Sequence, residues 1–219
     1  MNCEKKTYDV ILFDLDGTVT DPGEGITNAV IYALKKFGIE VEERSQLYKF
    51  IGPPLVDSFR EFYGMNKEDC DKAVRYYREY YSETGLFENE LYEGVEDLLK
   101  KLKEMGKTIG LATSKPEHFA VRILEYFHID SYFDFIGGSA ADGTRLRKEE
   151  VVAYVLEQLK VRDLEKVLMI GDREFDVFGA QKNGIDSLGV LYGYGCEEEF
   201  KSAKATYIAE KIENILQFI

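Results

Sequence analysis

Residues 8 to 18, Tyr-Asp-Val-Ile-Leu-Phe-Asp-Leu-Asp-Gly-Thr, constrain the fold more than any other stretch of the chain. Val10 to Phe13 is an unbroken apolar run, the pattern of a strand buried on both faces of a parallel sheet. It ends in two carboxylates, Asp14 and Asp16, and side chains two apart on an extended segment point to one face. Gly17 then permits a sharp turn, and Thr18 adds a hydroxyl. Ligands of open α/β sheets bind beyond the carboxyl ends of the strands, so acids delivered there predict a site. The competing reading is an acidic turn, as in a receiver-domain pocket or a structural Asx-turn.

From Thr18 to about residue 90 the periodicity is helical. Ile26, Ala29, Val30, Ala33, Leu34 and Phe37 share a face that Gly38 ends; Leu55, Val56, Phe59, Phe62 and Tyr63 share another, ended by Gly64. Asn66 with Asp69 reads as an N-cap pair opening a helix striped by Ala73, Val74, Tyr77, Tyr80 and Tyr81 and closed by Gly85. Its tyrosines read as bundle packing with wet hydroxyls.

From Leu91 helix and strand alternate. Val95, Leu98, Leu99, Leu102 and Met105 mark a helix face, Thr108 to Ala112 a strand, and Pro116 the N1 position of a helix carrying Phe119, Ile123 and Phe127. Tyr132 to Ile136 is a further strand, Val151 to Leu159 a helix, and Val167 to Ile170 a strand. Short strands follow at Ser187 to Val190 and Thr206 to Ile208, with a last helix through Ile212, Ile215, Leu216 and Ile219. The alternation predicts an α/β fold, a Rossmann-like parallel sheet with helices on both faces, plus an inserted all-helical cap. The expected boundaries are 1–19 and 91–219 for the α/β core and 20–90 for the cap.

Three strand ends carry polar residues that a sheet core does not need: Asp14 and Asp16; Thr113, Ser114 and Lys115; and Asp172 and Asp176 in Gly171-Asp172-Arg173-Glu174-Phe175-Asp176. If the strands are neighbours, these clusters meet at one edge. Carboxylates ~4 Å apart oppose each other by about 4 kcal/mol per pair at an effective dielectric near 20. A divalent cation relieves that repulsion, and all-oxygen donors favour Mg²⁺ over zinc. Taken alone, Asp172 and Asp176 read equally well as a helix N-cap and a first-turn acid.

Together these motifs resemble those of the haloacid dehalogenase-like hydrolases, most of which are phosphatases. The resemblance rests on Asp-Leu-Asp-Gly-Thr after the first strand, Thr113 after the second, Lys148 in Arg145-Leu146-Arg147-Lys148, and Gly171-Asp172 with Asp176 four residues on. It covers nearly the whole chain and is most like the phosphoglycolate phosphatase-like branch with a small helical cap. It implies that Asp14 attacks phosphorus to form an aspartyl-phosphate. Asp16 would protonate the leaving group and then deprotonate the hydrolytic water, while Thr113 and Lys148 hold phosphoryl oxygens. Mg²⁺ would be held by Asp14, the backbone carbonyl of Asp16, and Asp172, with Asp176 in support. Gly17, Thr18, Ser114 and Lys115, with Gly52 and Pro53 of the cap, complete the expected substrate-binding set; Lys115 competes with Lys148 for the phosphoryl group.

The implied activity is Mg-dependent hydrolysis of a small phosphomonoester, phosphoglycolate or a nucleoside 5'-monophosphate among the candidates. Alternatives on the same residues are a phosphotransferase or sugar-phosphate mutase, a pyrophosphatase, and a non-catalytic domain. Asp16 separates the chain from the dehalogenase branch, and Lys49 leaves a phosphonate-cleaving Schiff-base enzyme open.

The balance of 28 basic and 41 acidic residues, a net charge of −13, argues against a nucleic-acid or anionic-membrane partner. Cys3, Cys70 and Cys196 are widely spaced and form no CxxC, which suggests reduced thiols, buried or incidental. The polar start, Met1 to Lys6, lacks the apolar stretch of a signal peptide. The expectation is a cytoplasmic monomer or weak homodimer whose partner is a small phosphorylated metabolite. His118 and His128 read as structural or solvated.

Overall fold

Val10–Phe13 forms strand β1, and its place in the sheet decides where the other strand ends fall. The structure is a computed structural model describing residues 6–140 and 142–219. After β1 come β2 (Thr20–Asp21), α1 (Gly23–Lys35), α2 (Leu55–Tyr63), α3 (Lys67–Tyr80) and β3 (Glu90–Leu91). Then follow α4 (Val95–Glu104), β4 (Thr108–Pro116), α5 (Glu117–Tyr126), β5 (Phe135–Ser139), α6 (Lys148–Gln158) and β6 (Val167–Gly171). The chain ends with α7 (Glu174–Lys182), β7 (Asp186–Val190), α8 (Glu197–Ala203), β8 (Tyr207–Ala209) and a 3₁₀ segment, Ile212–Phe218.

Six strands pair in the order β5-β4-β1-β6-β7-β8, every neighbour parallel. Phe13 is level with Leu111 of β4 and with Ile170 of β6, so the carboxyl ends of these three strands lie side by side. The chain runs outward from β1 to β4 and β5, then returns to the other side of β1 for β6, β7 and β8. That reversal of strand order leaves a crevice beyond the carboxyl edge next to β1.

Ile11 and Leu12 are both fully buried, so β1 is covered on both faces. Leu12, Val167 and Met169 pack against Val151, Val155 and Leu156 of α6 and Ala180 of α7, while α4 and α5 pack on β4. Burying each large aliphatic side chain stabilises the layer by about 1.5–3 kcal/mol.

Contacts group the chain into Met1–Thr20 with Leu91–Ile219, and Asp21–Glu90. Within Asp21–Glu90, Phe50 sits between Phe59 and Phe62, with ring centroids 5.1 and 5.4 Å away. Gly64 ends α2 at φ +63°, and Asn66 caps α3 by accepting from the Asp69 amide at 3.0 Å. Tyr77 and Tyr81 are buried and stacked at 5.2 Å, and the Tyr80 hydroxyl donates to Glu88.

Several expected elements are displaced. The strand expected at Tyr132 to Ile136 is Phe135–Ser139, and Asp130–Tyr132 is a 3₁₀ turn. Inside that strand, a Cβ at Gly137 would lie 2.4 Å from Val155, so strand and helix meet at that glycine. Pro116 ends β4 and caps α5 instead of opening it, and the closing helix is 3₁₀. Cys70 is buried and Cys196 exposed, whereas Cys3 lies outside the described residues. Among the described residues no helix is long and apolar enough to cross a membrane.

Candidate active site

The Asp14 amide donates to the Ile170 carbonyl at 2.9 Å, extending the β1–β6 pairing one residue past Phe13. That step carries Asp14 beside the turn after β6. Carboxylate oxygens of Asp14, Asp172 and Asp176 lie within 4.8 Å of one another, and all three residues are buried. Lys148, the first residue of α6, enters this group. Its Nζ lies 2.8 Å from Asp14 Oδ1 and 2.8 Å from Asp176 Oδ1, and donates to the Ala112 carbonyl at 3.0 Å.

Asp176 has two tasks. One oxygen accepts from the Arg173 amide at 3.1 Å and caps α7, and the other faces Lys148. The helix-cap and site readings of this residue are therefore compatible. Asp172 Oδ2 accepts from the Tyr194 amide at 2.8 Å, whereas Oδ1 is buried with no hydrogen-bond partner.

The electrostatics show a shortage of positive charge. Burial, then the charges of Asp176 and Asp14, push the Asp172 carboxyl well above the usual range. Burial pushes Asp176 up to about 6, with Lys148 opposing and Asp14 adding to the rise. Burial works against the Lys148 ammonium, but Asp14 and Asp176 more than offset it and hold its pKa above that of an ordinary lysine. One lysine cannot neutralise three buried acids. Clustered all-oxygen donors, with an orphaned buried oxygen on Asp172, fit a hard divalent cation such as Mg²⁺.

The Asp16 carboxylate stands outside that triad, 3.0 Å from Lys115 Nζ. Burial raises its pKa and Lys115 opposes the rise. The two lysines thus take different acids, Lys148 on Asp14 and Lys115 on Asp16. Thr113 is buried, and its hydroxyl accepts from the Lys115 amide at 3.3 Å; Ser114 is half-buried on the same strand. The amides of Thr18, Val19 and Thr20 all donate to the Leu15 carbonyl, winding the Gly17 turn tightly. Gly17 has φ +79°, and a Cβ there would stand 2.0 Å from Asp172 Oδ2. The Thr18 hydroxyl is buried without a partner. Gly52 and Pro53 lie between the 3₁₀ segment Arg44–Phe50 and α2, in Asp21–Glu90. His118 and His128 are exposed.

The sequence reading missed two sets of contacts. Arg145 donates to the Gly138 carbonyl at 2.7 Å and to Glu117 at 2.8 Å, three residues before Lys148. The loop from Tyr192 to Gly195 packs on Asp172; the Gly-Tyr-Gly run after an apolar strand was the available signal.

A parallel α/β sheet whose carboxyl edge gathers three buried aspartates, two of them paired with one lysine, has the arrangement of a hydrolase that works with a bound cation. The chain belongs to the haloacid dehalogenase-like hydrolases, whose family model matches residues 11–190. A 5'-nucleotidase of Pseudomonas aeruginosa is 42% identical over 212 residues, 97% of this chain and 96% of that protein. The tyrosine-protein kinase PtkA of Mycobacterium tuberculosis is 37% identical over 199 residues, 91% of this chain and 67% of that protein. The crystal structure of a predicted phosphatase from Clostridium acetobutylicum matches with a TM-score of 0.92 and 48% identity, covering 96% of this chain and 97% of that one. This protein is an enzyme, a hydrolase of the phosphatase kind.

Proposed function

We propose that the protein is a Mg²⁺-dependent phosphatase that hydrolyses a small phosphomonoester through an aspartyl-phosphate on Asp14. The observation that carries this reading is Lys148 between Asp14 and Asp176 at 2.8 Å from each, inside the buried acidic cluster. Asp14 attacks phosphorus as the bond to the leaving oxygen breaks, and Asp16 gives its proton to that oxygen. Burial, which raises the Asp16 pKa, suits it to hold that proton. Asp16 then takes a proton from water as the water attacks the phosphoaspartate, releasing phosphate and restoring Asp14. Thr113 and Lys148 hold phosphoryl oxygens, with Gly17, Thr18, Ser114 and Lys115 lining the same edge and Gly52 and Pro53 serving substrate choice. Asp14, Asp172 and the Asp16 carbonyl would hold the cation with Asp176 in support, and the cation would neutralise charge on the transferring group.

The favoured substrate is a nucleoside 5'-monophosphate, supported by the 42% identity to a 5'-nucleotidase; phosphoglycolate is the next candidate. The helical segment 20–90 serves substrate choice and the segments 1–19 and 91–219 carry the chemistry, and the enzyme works on a small metabolite in the cytoplasm. Asp14→Asn is expected to abolish phosphate release from p-nitrophenyl phosphate in Mg²⁺ with the fold intact. Full activity in that variant would remove Asp14 as nucleophile.

A second reading, transfer to an acceptor other than water, is supported by the relative named a kinase. Phosphate released from a monophosphate with no acceptor present favours the phosphatase. Label appearing on tyrosine from ATP, without phosphate release from monoesters, favours the kinase.

A further inference from the structure

The loop after β7, Leu191 to Cys196, carries no acid or lysine, yet it makes several of the tightest approaches to the acidic centre. A Cβ at Gly193 would stand 2.2 Å from the Gly17 carbonyl oxygen and 2.4 Å from Asp172 Cβ. At Gly195 it would stand 2.0 Å from the Asp172 carbonyl oxygen. No side chain fits at either position without moving main chain, so both glycines are there to let the loop lie flat on Asp172. Gly17, after β1 on the same sheet edge, closes the socket, with its own missing Cβ only 2.0 Å from Asp172 Oδ2.

Two hydrogen bonds fix what the glycines admit. The Tyr194 amide donates to Asp172 Oδ2 at 2.8 Å, and the Tyr192 hydroxyl donates to the Thr18 carbonyl at 2.9 Å. Tyr192 is anchored in turn by Tyr92, edge-on at a centroid distance of 5.0 Å. The loop is therefore tied both to the carboxylate and to the turn behind it. The outcome is asymmetric: Oδ2 of Asp172 is occupied by an amide, and Oδ1 is buried and unpartnered. A freely rotating carboxylate could offer either oxygen. This one offers Oδ1.

We propose that the Tyr192–Gly195 loop is a positioning element that engages Oδ2 of Asp172 and presents Oδ1 to a divalent cation, with the Tyr192 hydroxyl bracing the Gly17–Thr18 turn. The inference rests on the reading that Asp14, Asp172 and Asp176 hold a divalent cation. Tyr192, Gly193 and Gly195 are positioning residues: the two glycines act through Asp172, and Tyr192 through the Gly17–Thr18 turn beside it. Groups that orient a metal ligand typically change metal affinity about 10–100-fold when removed.

The test titrates Mn²⁺ into the metal-free protein by calorimetry, with the melting temperature of each metal-free variant measured alongside. Wild type is expected to bind the ion, and Asp172→Asn to lose binding. Tyr192→Phe keeps the ring against Tyr92 and deletes only the bond to Thr18; it is expected to weaken Mn²⁺ binding about 10-fold, with the metal-free melting temperature nearly unchanged. Gly195→Ala, which drives the loop off Asp172, is expected to lose more affinity than Tyr192→Phe. An unchanged Mn²⁺ affinity in Tyr192→Phe overturns the inference, whether or not the melting temperature drops, because a purely structural loop would move stability alone. Wild type that binds no Mn²⁺ refutes the cation reading itself, a result distinct from a failure confined to the loop variants.

Discussion

Lys148 is where the charge balance at the centre is decided. Its side chain meets Asp14, Asp176 and the Ala112 carbonyl at once, with almost no exposure to water. Removing one partner of such a buried group leaves the others uncompensated, at a cost of about 3–5 kcal/mol. Lys148→Met is therefore expected to lower the urea-unfolding free energy of the metal-free protein by that amount. Phosphate release should fall by about 10²–10³, the usual effect of deleting one charge-stabilising donor. Lys115→Met removes the partner of Asp16 and should leave the Asp14–Lys148 contact standing. Full activity in Lys148→Met with loss in Lys115→Met would exchange the two roles. The sequence could not choose between these lysines, because both stand at element boundaries beside polar neighbours. The choice depends on which acid each side chain reaches, and that is a property of the sheet order.

The elements show how the site is held together. Arg145 lies in the connection between β5 and α6, and its guanidinium rests 3.7 Å from the Tyr154 ring centroid while bonding Gly138 and Glu117. It thus ties the start of α5, just past Lys115, to the start of α6, which begins at Lys148. A lysine cannot reproduce a planar fork that bonds two groups and stacks on a third. Both Arg145→Lys and Arg145→Ala are expected to reduce kcat/KM for p-nitrophenyl phosphate about 10-fold, with stability lowered by about 1–2 kcal/mol. Unchanged kinetics in both would make this contact a matter of stability alone.

A second tie, at Asp134, brings in pH. Burial alone would raise its pKa, but the Lys103 ammonium and the Ile109 amide reverse that and hold it below the usual carboxylate value. A lowered folded pKa means that the native state binds this proton less tightly than the unfolded chain. The stabilisation is complete above the unfolded value near ~3.9 and is lost as pH falls through the folded one. Asp134→Ala should cost about 1 kcal/mol at neutral pH and much less near ~pH 2, checked by urea midpoints at both. Element types were legible wherever periodicity was strong, as in β1, α2 and β6. They were displaced where tertiary pairing overrode local signals: Gly137 lies in β5 paired with Ala112 of β4, and a Cβ at Gly137 or Gly138 would meet Val155 or the Lys115–Glu117 backbone. Helix α8 gave no stripe to read, since only Phe200 and Ala203 of its residues are buried.

On the scale of the whole molecule, the acids and lysines of the site come from Met1–Thr20 and Leu91–Ile219, and the helical segment inserted between them carries none of that chemistry. The expectation of a division came from periodicity that changes near both boundaries; the Tyr192–Gly195 loop offered only a Gly-Tyr-Gly run, since most of its contribution is backbone and missing side chains. A net charge of −13 repels a phosphate dianion at long range, so a phosphorylated substrate would depend on local positive charge such as Lys115 and Lys148 and on groups that recognise the rest of it. If recognition belongs to the helical segment, chemistry and choice should separate by exchange. Replacing residues 21–90 with the corresponding segment of a relative of different preference is expected to move the ranking of phosphomonoesters toward that relative. Slow turnover of p-nitrophenyl phosphate should persist, and Asp14→Asn should remain inactive in the chimera. A ranking that stays with the α/β part would assign choice to the sheet edge instead, and Ser114 and Thr18 would become the residues to vary.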